Sequence, residues 1–438
     1  MLSHGADAAT RLTRIATRAR QDPTATFDNL VSVITAEFLA DCFHALRQDA
    51  APGVDMMTWQ DYAQDLPDRL AELAARIHRM GYHPSPVRRV HIPKDGGSTR
   101  PLGIPTVEDK LVQEALRRLL SAVFEADFLD CSYGYRPGRG CHTALRALEQ
   151  DLVHRPVNYV IDADIRGFFD HVDHARLLDC VRTRVTDQRV LRYLVRFLKA
   201  GVQEDGVRLP DTDEGVPQGG VISPLLSNIF LHYALDRWFQ RQVVPTLHGY
   251  ATLNRYADDF VIGVQHEDEA RALLTALRAR LAGCGLTLAE EKTRLLIFSR
   301  FADDRAQRST LPVGTFDYLG FTHYWGRNAR GKMVLSRRTS CTKFRQKVRQ
   351  LTEWLAAWRQ RLPLRELWPK VRAKLSGHYA YYGVSGNSRG IQRFAAVAKR
   401  VIFRGLNRCS QRRRWTWDGF TRYCARYPLP APRLVHQW

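Results

Sequence analysis

Leu253-Asn254-Arg255-Tyr256-Ala257-Asp258-Asp259-Phe260-Val261-Ile262-Gly263-Val264 places two short strand-like runs on either side of two adjacent acids. Leu253 to Tyr256 and Phe260 to Val264 predict the arms of a β-hairpin, with Ala257, Asp258 and Asp259 in its turn. Upstream, Asn158-Tyr159-Val160-Ile161-Asp162-Ala163-Asp164-Ile165 alternates: Ile161, Ala163 and Ile165 face one way, Val160, Asp162 and Asp164 the other. That is a strand with carboxylates on one face. An acidic pair in a turn is ordinarily just a solvated tip. If strand and hairpin are neighbours in one antiparallel sheet, however, Asp164, Asp258 and Asp259 converge. Carboxylates from separate segments are what nucleotidyl transfer needs to hold two divalent ions about 3.5 to 4 Å apart.

Around this centre the chain runs to 438 residues, more than the usual single domain of about 100 to 150. Residues 1 to 48 read as a helical lead-in, closed by the turn signal Ala51-Pro52-Gly53-Val54-Asp55. Tyr82 to Pro105 is extended and turn-rich, Val107 to Phe124 helical. Ser227 to Gln240 and Asp268 to Leu281 read as helices, Leu286 to Phe298 and Asp317 to Tyr324 as strands. The chain turns basic and helical after about residue 336.

Net charge is +21, and its distribution is uneven. From Leu335 to Trp438 there are 24 Lys and Arg against Glu353, Glu366 and Asp418, so the whole excess sits in the last quarter. Six of nine tryptophans lie there too, at 354, 358, 368, 415, 417 and 438. Cations interleaved with rings suit a polyanionic partner, although each ring serves equally well as helix packing. No apolar stretch is long enough to span a bilayer, and the N-terminus carries no secretory signal. Its arginines (Arg11, Arg14, Arg18, Arg20), with Thr and Ala and few acids, suit a basic amphipathic helix better than an organellar transit peptide. Eight cysteines lie apart, without C-x-x-C or zinc spacing, and are expected as reduced, mostly buried thiols. His171 and His174 flank the catalytic strand, but hard Mg²⁺ prefers oxygen, so a structural role is expected.

Arg255-Tyr256-Ala257-Asp258-Asp259-Phe260 resembles the Tyr-x-Asp-Asp box of reverse transcriptases, in the form found among bacterial group II intron proteins. Asp164-Ile165-Arg166-Gly167-Phe168-Phe169-Asp170 is similar to their first metal-binding motif. Further blocks follow the family's order. Arg89 to Lys94 with Thr99 to Pro105 resembles the fingertips, and Tyr133 to Arg139 the block after it. Gly215-Val216-Pro217-Gln218-Gly219-Gly220, Ser223 to Asn228, Glu290 to Thr293 and Tyr318 to Phe321 complete the series. Gly377 to Asn387 resembles the thumb, or maturase, region. Asn407 to Arg414 with the following aromatics resembles a short DNA-binding extension.

The resemblance implies an α+β right-hand polymerase: fingers and palm over 49–330 with an antiparallel palm sheet, then an α-helical thumb/maturase domain over 335–400. A 1–48 extension and a basic 401–438 tail frame these. It implies an RNA-directed DNA polymerase that assists intron splicing and mobility, using two Mg²⁺ ions. Asp164 and Asp258 would be ligands, and Asp259 either a ligand or a shaper of the field. Lys94 and Arg100 would meet the triphosphate, Phe169 would exclude a ribose 2′-hydroxyl, and Gln218 would lie beside the nucleotide. Lys292 would protonate the leaving pyrophosphate, or else be a solvated lysine. Arg408, Arg412, Arg413 and Arg414 would contact nucleic acid. Expected partners are group II intron RNA or another RNA template, a DNA primer or target, and dNTPs, in a cytoplasmic protein that joins the nucleoid on binding DNA. A homodimer is compatible with this reading. The chain stops at Trp438 without the HNH endonuclease of many members, so second-strand cleavage is not expected. Two alternatives stay open, a reverse transcriptase domesticated for defence or repair and a non-catalytic RNA-binding maturase. Intact carboxylates argue against the latter, since clustered buried acids are costly.

Overall fold

The computed structural model describes residues 4–93, 99–210, 213–407 and 415–438. Lys94, Arg408, Arg412, Arg413 and Arg414 lie outside the described residues. The described strands are, in chain order, β1 (Val87–Pro93), β2 (Thr99–Ile104), β3 (Tyr159–Asp164), β4 (Val202–Glu204), β5 (Val207–Arg208), β6 (Ala251–Tyr256), β7 (Asp259–Val264), β8 (Arg294–Ile297), β9 (Phe316–Tyr318), β10 (Phe321–Arg327) and β11 (Met333–Thr339). They form three sheets, ordered β2-β1-β4-β5, β6-β7-β3-β8 and β11-β10-β9. In the first, β1 pairs antiparallel with β2 and parallel with β4; in the third, β10 pairs antiparallel with both neighbours. The chain is thus a mixed α/β protein with antiparallel pairing.

It divides into two compact units. One comprises Met1–Ala144, Ala163–Ile262 and Glu267–Arg294; the other Leu145–Asp162, Gly263–His266 and Leu295–Trp438. The first unit is organised by the Val107–Phe124 helix. Thr106 caps it by accepting from the Asp109 N–H at 3.1 Å. Leu111, Val112, Ala115, Leu116, Leu119, Leu120 and Val123 are buried around its circumference, as expected of a helix enclosed by others. The His4–Gln21, Ala36–Ala45 and Ser223–Leu231 helices pack on it. Its buried Gln113 reaches out as well, accepting from the Val221 N–H at 2.7 Å and so anchoring the Gly-rich segment.

Several local readings shift. The Ser227 to Gln240 helix is an α-helix only to Leu231, then becomes π-helical over His232–Asp236 and Phe239–Val243. Leu286 to Phe298 yields a strand only at β8. Asp317 to Tyr324 is two strands, broken where Leu319 and Gly320 take positive φ of 50° and 82°. Val160, expected on the carboxylate face of β3, is fully buried, so β3 is covered on both faces except at Asp162 and Asp164.

In the second unit the Cys341–Trp358, Leu364–Tyr382 and Ser388–Asn407 helices pack beside β9 to β11. Trp368 is core, donating its indole N–H to the Tyr427 carbonyl at 3.1 Å. Trp354, Trp358 and Trp417 lie under Lys374, Lys370 and Lys399 at 4.7, 5.9 and 5.4 Å from ring centre to ammonium. These cation–π pairs knit helices of the unit itself. The last residues fold back: the Val435 and His436 amides donate to the Gly383 carbonyl at 2.7 and 2.9 Å, and Ser385 donates to His436 at 3.0 Å. Among the described cysteines all are free thiols, but only Cys42 is fully buried, fewer than the sequence suggests.

His378 stacks on Phe394 at 3.5 Å between ring centres, and burial lowers its pKa to about 3. A histidine depressed from an unfolded value near 6.5 adds stability that is present above about pH 6.5 and lost as pH falls towards 3. At pH 5 the loss is about 2 kcal/mol. His378→Phe keeps the stack and removes the titration. Urea melts at pH 8 and pH 5 should therefore fall further apart for the wild type than for the variant.

Candidate active site

The hairpin forms where predicted, with a shorter tip. β6 ends at Tyr256 and β7 starts at Asp259, so the turn is Ala257-Asp258. Phe260, Val261 and Ile262 are buried, which anchors β7 inside its sheet. Ala257 takes a positive φ of 57°, a left-handed conformation costing a non-glycine residue roughly 1–2 kcal/mol. Such strain persists only where the surroundings hold it. One support is Gly134: a Cβ there would lie 2.5 Å from the Ala257 nitrogen, so only glycine lets the two backbones touch.

β3 delivers Asp164 to the same unit. The Asp164 carbonyl accepts from the Ala289 N–H and the Thr287 carbonyl from the Arg166 N–H, each at 2.8 Å. This lateral pairing carries the Glu290-Glu291-Lys292 turn to the strand end. Lys292 Nζ then donates to Asp164 Oδ2 at 2.5 Å, which raises the lysine's pKa. Arg166 binds Glu291 at 2.8 Å and Arg278 binds Glu290 at 2.9 Å, fixing the turn on both sides.

Burial holds the Asp258 carboxyl above its ordinary range, and the negative charge of Asp164 adds to the shift. The two carboxylates therefore feel each other. Asp259 opens β7 and is half-buried. Among the described residues, no group of three or more His, Cys, Asp or Glu is gathered to hold a metal, and the Lys292 ammonium balances Asp164 instead.

Arg100, on β2, points its Nε at Gln218 Oε1, 2.5 Å away, and lies 5.9 Å from the centre of the Phe169 ring. Gln218 Nε2 reaches Asp170 at 3.5 Å. Its loop is held from three sides: the Gly103 amide donates to the Gln218 carbonyl at 2.6 Å, Val216 to Phe169 at 2.7 Å, and His174 bonds the Gly215 carbonyl at 2.7 Å. Gly219 has φ 108°, and a Cβ there would meet the Gly103 carbonyl oxygen at 2.5 Å. Phe169 is buried, edge-on to Phe168 at 5.3 Å, and walls a cavity of about 470 Å³ with Arg89, Leu198, Val202, Val216 and Gln218. Arg100, Phe169 and Gln218 are thus brought together, as Asp164, Asp258 and Lys292 are.

Sequence reading missed what lies beneath the hairpin tip. Arg255 is fully buried and ion-paired to Asp236, itself fully buried at the end of the first π-helical segment. Asn228 and Ser132 complete the cluster. Arg255 sits inside the quoted motif, yet its neighbour in sequence, Tyr256, drew the attention. An arginine in a strand that enters an apolar sheet was the available signal, because a buried charge needs a partner.

Comparison with known proteins identifies the family. Residues 92–323 match the family model described as reverse transcriptase (RNA-dependent DNA polymerase). The group II intron-encoded protein LtrA of Lactococcus lactis subsp. cremoris is 34% identical over 234 residues, 51% of this chain and 39% of LtrA. Protein YkfC of Escherichia coli is 35% identical over 302 residues, 62% of this chain and 78% of YkfC. Nuclear intron maturase 1, mitochondrial, of Arabidopsis thaliana is 33% identical over 95 residues, 22% of this chain and 13% of that protein. The chain therefore spans about two fifths of LtrA's length and most of YkfC's. The matched span is more than half of the chain and contains Asp164, Phe169, Gln218, the Asp258-Asp259 hairpin and Lys292, and the chain belongs to the reverse transcriptase (RNA-dependent DNA polymerase) family.

Proposed function

We propose that this protein is an RNA-directed DNA polymerase of the group II intron type, built as a right hand with fingers and palm followed by a helical thumb. The observation that carries the reading is the approach of Asp164, from a strand end, and Asp258, from the turn of a separate hairpin, to electrostatic range of each other beside Arg100, Phe169 and Gln218. The donors are all carboxylate oxygens and repel one another, which fits a hard divalent cation such as Mg²⁺. Asp164 and Asp258, with Asp259 adjoining, would hold two such ions, whose chemistry is to acidify the primer hydroxyl and neutralise the triphosphate.

The remaining roles belong to side chains. Arg100 offers a planar, always-charged fork to the incoming triphosphate, and its two Nη groups can do so whether or not Nε releases Gln218. Lys94 is proposed to join it. Gln218 turns to the nucleotide. Phe169 occupies the space a 2′-hydroxyl would need. Lys292 is protonated at neutral pH as any lysine is, and the contact with Asp164 raises its pKa further, so it would give its proton to the leaving pyrophosphate only once Asp164 turns to the cations. The excess of Lys and Arg after Leu335, including Arg408, Arg412, Arg413 and Arg414, supports RNA template and DNA primer as partners, and with them intron splicing and mobility.

Extension of a DNA primer on an RNA template with dNTPs and Mg²⁺ tests the reading; well-folded protein that binds RNA but adds no nucleotide would overturn it. Within that assay Arg100→Ala should raise the KM for dNTP about 10- to 100-fold, the value of a hydrogen bond to a charged group. Affinity for primer–template should stay within about twofold. An unchanged KM would remove Arg100 from the triphosphate site.

A further inference from the structure

Beneath the acidic turn, a single guanidinium uses each of its five N–H groups. Arg255 Nε donates to Asp236 Oδ1 at 2.7 Å, and Nη2 to Asp236 Oδ2 at 2.5 Å and to Ser132 Oγ at 2.8 Å. Nη1 donates to Asn228 Oδ1 at 3.0 Å and to the carbonyl of Ala257 at 2.9 Å. Arginine has five N–H donors in a rigid fork, so the head group is saturated. Its main chain is fixed too, since its N–H donates to the Cys131 carbonyl at 2.8 Å and its carbonyl accepts from Tyr133 at 2.9 Å.

The bond to Ala257 is the one that reaches the site. Ala257 is the residue in left-handed conformation, and its carbonyl belongs to the peptide that leads into Asp258. Asn228 grips the other side of the same turn. It is fully buried and donates from Nδ2 to the Gly134 carbonyl at 2.7 Å, and Gly134 is the residue whose missing Cβ lets the backbone lie against the Ala257 nitrogen. Arg255 and Asn228 therefore clamp the strained peptide from both ends. Asp236, whose carboxylate neutralises the guanidinium, closes a π-helical segment, a backbone irregularity that often marks functional positions. A solvent-exposed hairpin needs none of this. Burying a charged pair to hold one carbonyl is intelligible if the position of that turn matters to a few tenths of an ångström.

We infer that Arg255, Asp236 and Asn228 are positioning residues that lock the Ala257-Asp258 turn, and so set the placement of the Asp258 and Asp259 carboxylates for divalent-cation binding. The inference rests on the polymerase reading for its kinetic consequence but not for its cation consequence. The two can fail separately.

The test uses the full chain and three substitutions. Asn228→Ala cuts the links to Gly134 and to Arg255; Arg255→Lys keeps the charge but cannot serve all five acceptors; Ser132→Ala removes one acceptor and leaves the guanidinium its bonds to Ala257, Asn228 and Asp236. Mn²⁺ binding is read from loss of the free-ion EPR signal, and primer extension is read as separate kcat and dNTP KM, with thermal melting alongside. Asn228→Ala and Arg255→Lys should weaken Mn²⁺ binding at least 10-fold and lower kcat at least 30-fold, with dNTP KM within about twofold. Ser132→Ala should lower the melting temperature with kcat and Mn²⁺ affinity within about threefold. If Arg255→Lys does not fold, Asn228→Ala set against Ser132→Ala decides. The inference is overturned if the folded variants bind Mn²⁺ as the wild type does, if kcat falls for all three only in proportion to lost stability, or if the wild type itself binds no Mn²⁺. Wild-type protein that binds Mn²⁺ but synthesises nothing would sink the polymerase reading and leave this one standing.

Discussion

Asp258→Ala should abolish RNA-templated primer extension, with a loss of roughly 1,000-fold or more, while leaving RNA affinity and folding intact. Removing one preorganised stabilising group from an active site already costs about 100- to 1,000-fold, and a carboxylate meant to hold the catalytic cation stands at the upper end or beyond. Folding should survive because the wild-type carboxylate is an electrostatic burden. Burial and the charge of Asp164 both disfavour its ionised form, so the alanine variant should melt no lower than the wild type at neutral pH. Asp164→Ala gives a useful contrast. It removes the 2.5 Å partner of the largely exposed Lys292, an ion pair worth at most about 1 kcal/mol, so the two single variants should be equally inactive, with Asp164→Ala only slightly the less heat-stable. Single-nucleotide incorporation and calorimetry on matched preparations check both. Activity within 10-fold of wild type in Asp258→Ala would remove this residue from the catalytic centre.

The parts of this site that were legible in the sequence are those encoded by short periods. β3 and β7 are short runs of strand-forming apolar residues, buried on both faces and so legible by composition rather than by strict alternation, and the small and acidic residues between Tyr256 and Phe260 mark the turn. What was not legible depends on contacts made far along the chain. The Arg255 guanidinium meets Asp236 from a helix whose π-helical turns read as ordinary helix, and Ser132 from a segment more than a hundred residues away. Lys292 is singled out in the sequence by resemblance alone, its residue type fitting a solvated lysine equally well. Only the pairing of residues 164 to 166 with 287 to 289 carries it to Asp164. The tryptophans of the basic quarter illustrate the opposite limit. Composition could not choose between stacking on bases and packing on helices, and three of the rings lie under lysines of their own unit.

Phe169→Val should open the nucleotide site to ribonucleotides, raising the kcat/KM for rNTPs relative to dNTPs about 10- to 100-fold. The argument is steric. Phe169 is buried against Phe168 and its carbonyl is tied to the Val216 amide at 2.7 Å, so the ring cannot swing aside to admit an extra oxygen. Arg100 stands over the ring and Gln218 beside it, which places the ring edge on the path of any nucleotide gripped by Arg100. A pocket that discriminates by excluding one hydroxyl yields about 100-fold and no more, so loss of the wall is expected to return most of that factor. Valine keeps a branched apolar group at the position, limiting the cost of the cavity, whereas alanine would add several kcal/mol of instability at a packed aromatic. The expected signature is therefore specific: dNTP incorporation within about fivefold of wild type, rNTP incorporation sharply raised, and melting temperature only slightly lowered. Equal losses for both sugars would mean that Phe169 supports the Gly-rich loop from behind rather than facing the sugar, and the cavity of about 470 Å³ at its side would then be a structural void and not part of the nucleotide path.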